Sequence, residues 1–288
     1  MNKKIKIAVI AVALVIVLSA VAGVIYKEAT TVKPIKVKET ISVSQSQVED
    51  LSSIKLIAHR GLSGITPENT MASIKAACDA GFYGVEFDIR LTSDGHWVVH
   101  HDENLNRLAG VKTKIAEMTL EEVQAVKFNN GANIEKYDGI TAPSLREVLD
   151  YVSTTDTIPV IEIKTETKDG IKELVAILKE YGYLETARII SFYEEPLKEF
   201  KRICNRTPIS FLVHNINDDV ISICTENDFD AISFNHKNVK QKHIQKAVDA
   251  GLTLQTWTVD SPESLAEFYS YGVEYFTTNC IIPDVKAE

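Results

Sequence analysis

From residue 54 onward, short apolar runs rich in β-branched residues alternate with longer amphipathic stretches. The apolar runs cover residues 54–58, 84–89, 158–163, 188–192, 208–213, 231–234, 253–259 and 275–278. Each is four to seven residues long and bounded by turn-forming residues, which predicts strands. The stretches between them carry apolar residues at helical spacing. A first helix is expected with Thr66 as N-cap and Pro67 at its first position, stopping at Gly81. Further helices are expected over 144–152, 169–181, 194–204, 218–227, 238–250 and 262–271. Eight strands alternating with helices predict an α/β fold with a parallel sheet, closed as a (β/α)8 TIM-type barrel.

One link breaks this rhythm. Only a few residues, including Asp94-Gly95, separate the 84–89 run from Trp97-Val98-Val99-His100-His101. A parallel crossover needs about a dozen residues, so this connection is expected to be a hairpin. Residues 97–101 would then return beside the second barrel strand without joining the barrel. The stretch 103–143, with a helix expected over 120–127, reads as a small insertion after that strand, covering the barrel mouth.

The N-terminus has a different character. Met1-Asn2-Lys3-Lys4-Ile5-Lys6 is basic, and residues 7–26 carry no charge. That length matches the roughly 20 residues a helix needs to cross a bilayer. Residues 1–26 are therefore read as a transmembrane anchor, with a cleaved signal peptide at Ala20-Val21-Ala22 as the alternative. Either way the lysines stay inside and the rest is exported. The expected location is the cell membrane, single-pass, with an extracytoplasmic domain over 54–288 and a linker over 27–53; secretion is the alternative.

Charge narrows the partners. The first 26 residues hold three lysines and no acid, so the remainder carries 28 Lys and Arg against 40 Asp and Glu, a formal net charge of −12. Such a surface repels nucleic acid, which is not expected as a partner, and a substrate phosphate must be captured by local cations or a metal. Cys78, Cys204, Cys224 and Cys280 show no metal-ligand spacing and read as buried thiols.

The chemistry collects at strand ends. Residues two apart on a strand share a face, so Glu86 and Asp88 point together into the lumen while Val85, Phe87 and Ile89 face the helices. Glu162 and Lys164 repeat the pattern on the 158–163 strand. Two inward carboxylates repel, and a divalent cation is the simplest compensation; salt bridges from Arg60 and Lys164 are the alternative. Glu162 would complete a three-carboxylate site for one ion. Mg²⁺ would need near-octahedral oxygens at about 2.1 Å and Ca²⁺ looser ligands at about 2.3–2.6 Å, and the residues do not choose between them. Lys164 is expected on the far side as a point charge for a phosphate oxygen, or else as a partner of Glu162.

His59 and Arg60 end the first strand, and Gly61 follows where the chain turns sharply. Arg60 can fork onto a phosphate. His101 precedes Asp102, which can orient its ring, whereas His100 falls on the opposite face. Two histidines across a phosphodiester allow general acid–base catalysis near neutral pH. Trp257 either walls the site against a carbon chain or packs in the core. Glu68 either supports a catalytic group or favours the dipole of the first helix.

These segments taken together resemble the glycerophosphodiester phosphodiesterase family, over roughly residues 54–283. The shared stretches are Ile57-Ala58-His59-Arg60-Gly61, Pro67-Glu68-Asn69-Thr70, Val85-Glu86-Phe87-Asp88, His101-Asp102, Glu162-Ile163-Lys164 and Trp257-Thr258-Val259. The resemblance implies a (β/α)8 barrel with an insertion after the second strand and a divalent ion held by Glu86, Asp88 and Glu162. It also implies His59 and His101 as the acid–base pair, Arg60 and Lys164 at the phosphate, and hydrolysis of a glycerophosphodiester to glycerol 3-phosphate and an alcohol. One departure stands near the C-terminus: the family usually has Thr-Asp after its last strand, and this chain has Thr278-Asn279. Alternatives are the same chemistry on lysophospholipids or envelope glycerophosphate polymers, a catalytically inactive surface binding protein, and a metal-assisted proton-abstracting barrel enzyme.

Overall fold

The computed structural model describes residues 33–42 and 53–283. The apolar run of residues 1–26 lies outside them, and no helix among the described residues is long and apolar enough to cross a membrane. Eleven strands are present among those residues: β1 Ile41–Ser42, β2 Lys55–Ala58, β3 Gly84–Leu91, β4 Trp97–Val99, β5 Ile158–Ile163, β6 Arg188–Ser191, β7 Ile209–Val213, β8 Ala231–Asn235, β9 Thr253–Trp257, β10 Tyr275–Thr278 and β11 Ile281–Ile282.

Eight of these, β2, β3 and β5 through β10, run parallel and close into the expected barrel. Closure is made where β10 pairs with β2, from Tyr275 opposite Lys55 to Thr278 opposite Ala58, and where β2 pairs with β3. The Thr278-Asn279 departure therefore does not loosen the seam. The hairpin is also as expected: β4 runs antiparallel to β3, with Leu91 opposite Trp97. It is shorter than the 97–101 run, so His100 and His101 lie in the loop beyond it.

Alternation decides which side chains enter the lumen. Val85, Phe87 and Ile89 are fully buried against the outer helices, which leaves Glu86 and Asp88 facing inward. A separate cluster of Ile57, Val160, Ile190 and Leu212 fills the lumen itself. The insertion has its own apolar core of Val98, Leu105, Leu108, Ile115, Val123, Phe128 and neighbours, beside the main core rather than continuous with it.

The first helix differs from the reading above. It spans Met71–Asp79, and Thr70 is its N-cap, paired with Ser73 in a capping box. Thr66 donates its hydroxyl to the Leu62 carbonyl instead. Asn69 sits at φ 53°, which no helix interior accepts, so Pro67 and Glu68 belong to a loop. Gly61, at φ 72°, is required for a second reason: a Cβ there would lie 2.4 Å from the Ser73 carbonyl carbon. The other expected helices are present with ends shifted by at most three residues.

Residues 33–42 lie against the barrel. β1 pairs with β11, Lys38 donates its amide to the Gly64 carbonyl, and Asn130 of the insertion bonds Ile35 and Lys33. All four cysteines are free thiols, with Cys204, Cys224 and Cys280 buried and Cys78 half-buried.

Candidate active site

The predicted residues converge on the C-terminal ends of the strands. A cavity of about 80 Å³ there is lined by His59, Arg60, Glu86, His101, Glu162 and Lys164. The apolar Ile190, Phe192, Leu212 and Trp257 line it too, with Ser233, Gln255 and Thr277. Trp257 meets Phe192 edge to face, with ring centroids 5.6 Å apart, so it is part of an apolar wall open to the cavity.

Glu86, Asp88 and Glu162 form one acidic cluster, with a ligand oxygen of each within 4.8 Å of the others. All three are buried. The Lys164 Nζ is not on the far side of this cluster but within it, 2.6 Å from Glu162 Oε1 and 3.1 Å from Asp88 Oδ1. Arg60 places Nε 3.5 Å from Asp88 Oδ2, and its backbone amide donates to Glu86 Oε2 at 2.7 Å. The buried Asn69 clasps Asp88 at both ends, donating Nδ2 to Oδ2 and accepting from the Asp88 amide.

The two cations do not neutralise three carboxylates. Burial pushes Asp88 up, but Lys164, Arg60, His101 and Asn69 outweigh it and hold Asp88 well below the usual range. Glu86 goes the other way: burial, then the charges of Asp88 and Glu162, push it well above. Glu162 is pushed to about 8, by burial and then by Asp88. Asp88 Oδ1 and Arg60 Nε are each met by an opposite charge, Lys164 Nζ at 3.1 Å and Asp88 Oδ2 at 3.5 Å, without a well-aligned hydrogen bond. A hard divalent cation among these oxygens would let all three carboxylates ionise, so the donor set fits one.

The two histidines sit in opposite electrostatic settings. His59 Nδ1 lies 2.8 Å from Asn279 Oδ1. The Asn279 amide cannot turn round, because its Nδ2 and its backbone amide both donate to Asp260, at 2.7 and 2.8 Å. A carboxylate only accepts, so Asn279 presents Oδ1 to the imidazole and His59 Nδ1 must carry the proton. Burial and the Arg60 charge push His59 down to about 4, which keeps the ring neutral. Nε2 is then a bare lone pair.

His101 Nδ1 instead lies 2.7 Å from Asp102 Oδ1. Asp102 is held below its usual range although burial raises it, because His101 and Arg107 both pair with it. Arg107 donates Nε to Asp102 and both terminal nitrogens to Glu68, which also accepts from Arg60 at 2.7 Å. Burial pushes Glu68 up, but the two arginines outweigh it and hold it at about 2. Glu68 thus ties together Arg60 and Arg107, from the loop before the helix rather than from its first turn.

His100 is structural. It is fully buried, and Nε2 lies 3.0 Å from the Asn104 carbonyl, which can only accept, so Nε2 carries the proton. Burial pushes the ring from 6.5 down to about 4. Between those pH values the unfolded chain takes up a proton that the folded chain refuses, so stability falls on acidification by on the order of 3 kcal/mol. The thermal midpoint is expected to drop from pH 6.5 to pH 4, more gently in His100→Asn. Parallel profiles for the two proteins would contradict this.

Asn69, Arg107, Asp260 and Asn279 were not foreseen as site residues. Only Asn69 and Asn279 left a trace in the sequence, one inside a shared stretch and the other at the noted departure.

Comparison with known proteins bears on the chemistry. The family model described as "Glycerophosphoryl diester phosphodiesterase family" matches residues 59–282. A glycerophosphodiester phosphodiesterase of Caldanaerobacter subterraneus subsp. tengcongensis is 32% identical over 228 residues, covering 78% of this chain and 93% of the relative. Among solved structures, a glycerophosphodiester phosphodiesterase from Parabacteroides distasonis is 26% identical with a TM-score of 0.67, covering 79% of this chain and 93% of the other. A phosphodiesterase from Oleispira antarctica, solved in complex with the product sn-glycerol-3-phosphate, shares the fold at 24% identity and a TM-score of 0.72, covering 78% and 92%.

Proposed function

Because this chain belongs to the glycerophosphoryl diester phosphodiesterase family and is a hydrolase, we propose that it cleaves a glycerophosphodiester to sn-glycerol 3-phosphate and an alcohol, with His59 as general base and His101 as general acid. The observation that carries this assignment is the pairing of one imidazole with a neutral amide and the other with a carboxylate, both rings lining one cavity. His59 Nε2, a lone pair on a ring kept neutral, takes the proton of the attacking hydroxyl, from water or from the substrate's own glycerol. Asp102 pairs with His101 Nδ1 and fixes the ring, so that Nε2 is the atom that hands a proton to the leaving alkoxide.

Glu86, Asp88 and Glu162 would hold a divalent cation, Mg²⁺ or Ca²⁺, which supplies positive charge against the phosphate oxygens. Arg60 and Lys164 add to that charge. Each now bonds a carboxylate, so phosphate oxygens compete with Glu68 and Glu162 for them. Trp257 and its apolar neighbours receive the carbon chain of the substrate. The glycerol 3-phosphate bound to the Oleispira antarctica phosphodiesterase supports the same product here.

The test is release of glycerol 3-phosphate from glycerophosphocholine by the full chain, with Mg²⁺ or Ca²⁺. Release with either ion is expected. A folded protein that releases none from this diester, a lysophospholipid or a glycerophosphate polymer would remove the reading in favour of a binding role. The uncharged run of residues 7–26 supports retention at the membrane with the barrel outside. An intact N-terminus in the membrane fraction is the expected finding, and a soluble protein starting near Gly23 the contrary one.

A further inference from the structure

Asp260 and Asn279 set the proton position on His59, and a third residue reaches this pair from outside the family-matched region. Lys38 precedes residue 59, where that match begins, yet its Nζ forms an ion pair with Asp260 Oδ2. The backbone around Lys38 is held on both sides. Its amide donates to the Gly64 carbonyl at 2.7 Å, and Gly64 donates to the Asn279 carbonyl at 2.9 Å. Three residues later Ile41 donates to the Cys280 carbonyl at 2.9 Å, and β1 adds to β11. At the other end, Asn130 accepts from the Ile35 amide and donates to the Lys33 carbonyl. Residues 33–42 therefore run as a strap from the insertion to the turn that carries Asn279.

We propose that Lys38 is a positioning residue for His59, acting through the series Lys38–Asp260–Asn279–His59. Asp260 has four donors to satisfy with two oxygens: the Asn279 amide and side chain, the Thr278 hydroxyl and Lys38. Three of them come from the end of β10 and the residue that follows it, Thr278 and Asn279, and Lys38 alone comes from elsewhere in the chain. Its charge keeps Asp260 an anion that accepts from Asn279 Nδ2, and that orientation aims Oδ1 at His59 Nδ1. With Lys38 gone, the carboxylate is free to swing toward solvent and the Asn279 amide to reverse. A reversed amide would donate to Nδ1, move the imidazole proton to Nε2 and remove the lone pair facing the cavity. The ion pair is partly exposed and adds little to stability, so its loss is expected to alter the ring and spare the fold. The inference rests on His59 being the base.

The experiment uses ¹⁵N-histidine-labelled full chain, with the two-bond ¹H–¹⁵N pattern of His59 assigned through His59→Gln. Wild type is expected to show the Nδ1–H tautomer. Asp260→Asn should convert a large fraction to Nε2–H, and Lys38→Met a smaller one. In steady-state assays on glycerophosphocholine, Lys38→Met should lower kcat on the order of 10-fold with little change in KM, and Lys38→Arg should keep the tautomer and most of the rate. Should Asp260→Asn fail to fold, Lys38→Met against Lys38→Arg still decides the matter. An Nε2–H tautomer in wild type overturns the proposal, and so does a Lys38→Met protein with wild-type tautomer and kcat. Tautomers that shift as expected in a chain with no hydrolase activity on this diester would leave the positioning role standing and remove the proposed reaction instead.

Discussion

Replacing His101 with alanine is expected to lower kcat on glycerophosphocholine by about 10³-fold, and to cost far less on glycerol 3-phospho-4-nitrophenol. Choline is a poor leaving group that departs only as it gains a proton, whereas nitrophenolate leaves without one. The loss on the first substrate and its relief on the second together identify a general acid. His59→Ala should lose a similar factor on both, because the attacking hydroxyl must give up its proton whatever leaves. The basis of this asymmetry lies in the partners: a carboxylate 2.7 Å from His101 Nδ1 and an amide oxygen 2.8 Å from His59 Nδ1. Steady-state rates of both variants on both diesters check it. Relief by nitrophenolate in His59→Ala but not in His101→Ala would reverse the two roles.

Chelation is expected to take hydrolysis to background, with Mg²⁺ or Ca²⁺ restoring it, and Asp88→Asn should not respond to either ion. Asp88 is the carboxylate most firmly held in its charged form, and it faces Lys164, Arg60 and Asn69 at once. A cation must then draw in Glu86 and Glu162, whose protons are held by burial and by Asp88. An ion at about 100 times its Kd would raise folding stability by about 2.7 kcal/mol, so the thermal midpoint provides a readout independent of turnover. Glu162→Gln should lose that ion-dependent rise. Under chelator the same variant should be no less stable than wild type, because Glu162 is pushed to about 8 and must take up a proton on folding, whereas an amide there need not. A midpoint indifferent to both ions in wild type would count against the metal site.

Much of this was legible in the chain because it is local. Glu86 and Asp88 declare their shared direction through a two-residue period, and Glu162 and Lys164 do the same. The hairpin at Asp94-Gly95 follows from a link too short for a crossover. What escaped depends on distance or on competition between local signals. Asn279 meets His59 across 220 residues, a contact that exists only once β10 has closed on β2. Arg107 reaches Glu68 from a four-residue helix in the insertion, which no apolar periodicity marks. The first helix starts four residues later than expected, with Thr70 rather than Thr66 as its N-cap. The left-handed backbone of Asn69, which clasps Asp88, decides for Thr70.

The separate apolar core of the insertion has a consequence for how the site is assembled. His59 and the carboxylates stand on barrel strands or directly beyond them, whereas Arg107, which braces Asp102 behind His101, belongs to a segment packed around Leu105, Leu108 and Phe128. Two cores with few shared side chains behave as two cooperative units that open at different free energies. The part of the site around His101 can therefore open while the part around His59 stays folded. Drift in the insertion, by mutation or by heating, is expected to disturb the setting of His101 before it reaches the closed barrel beneath.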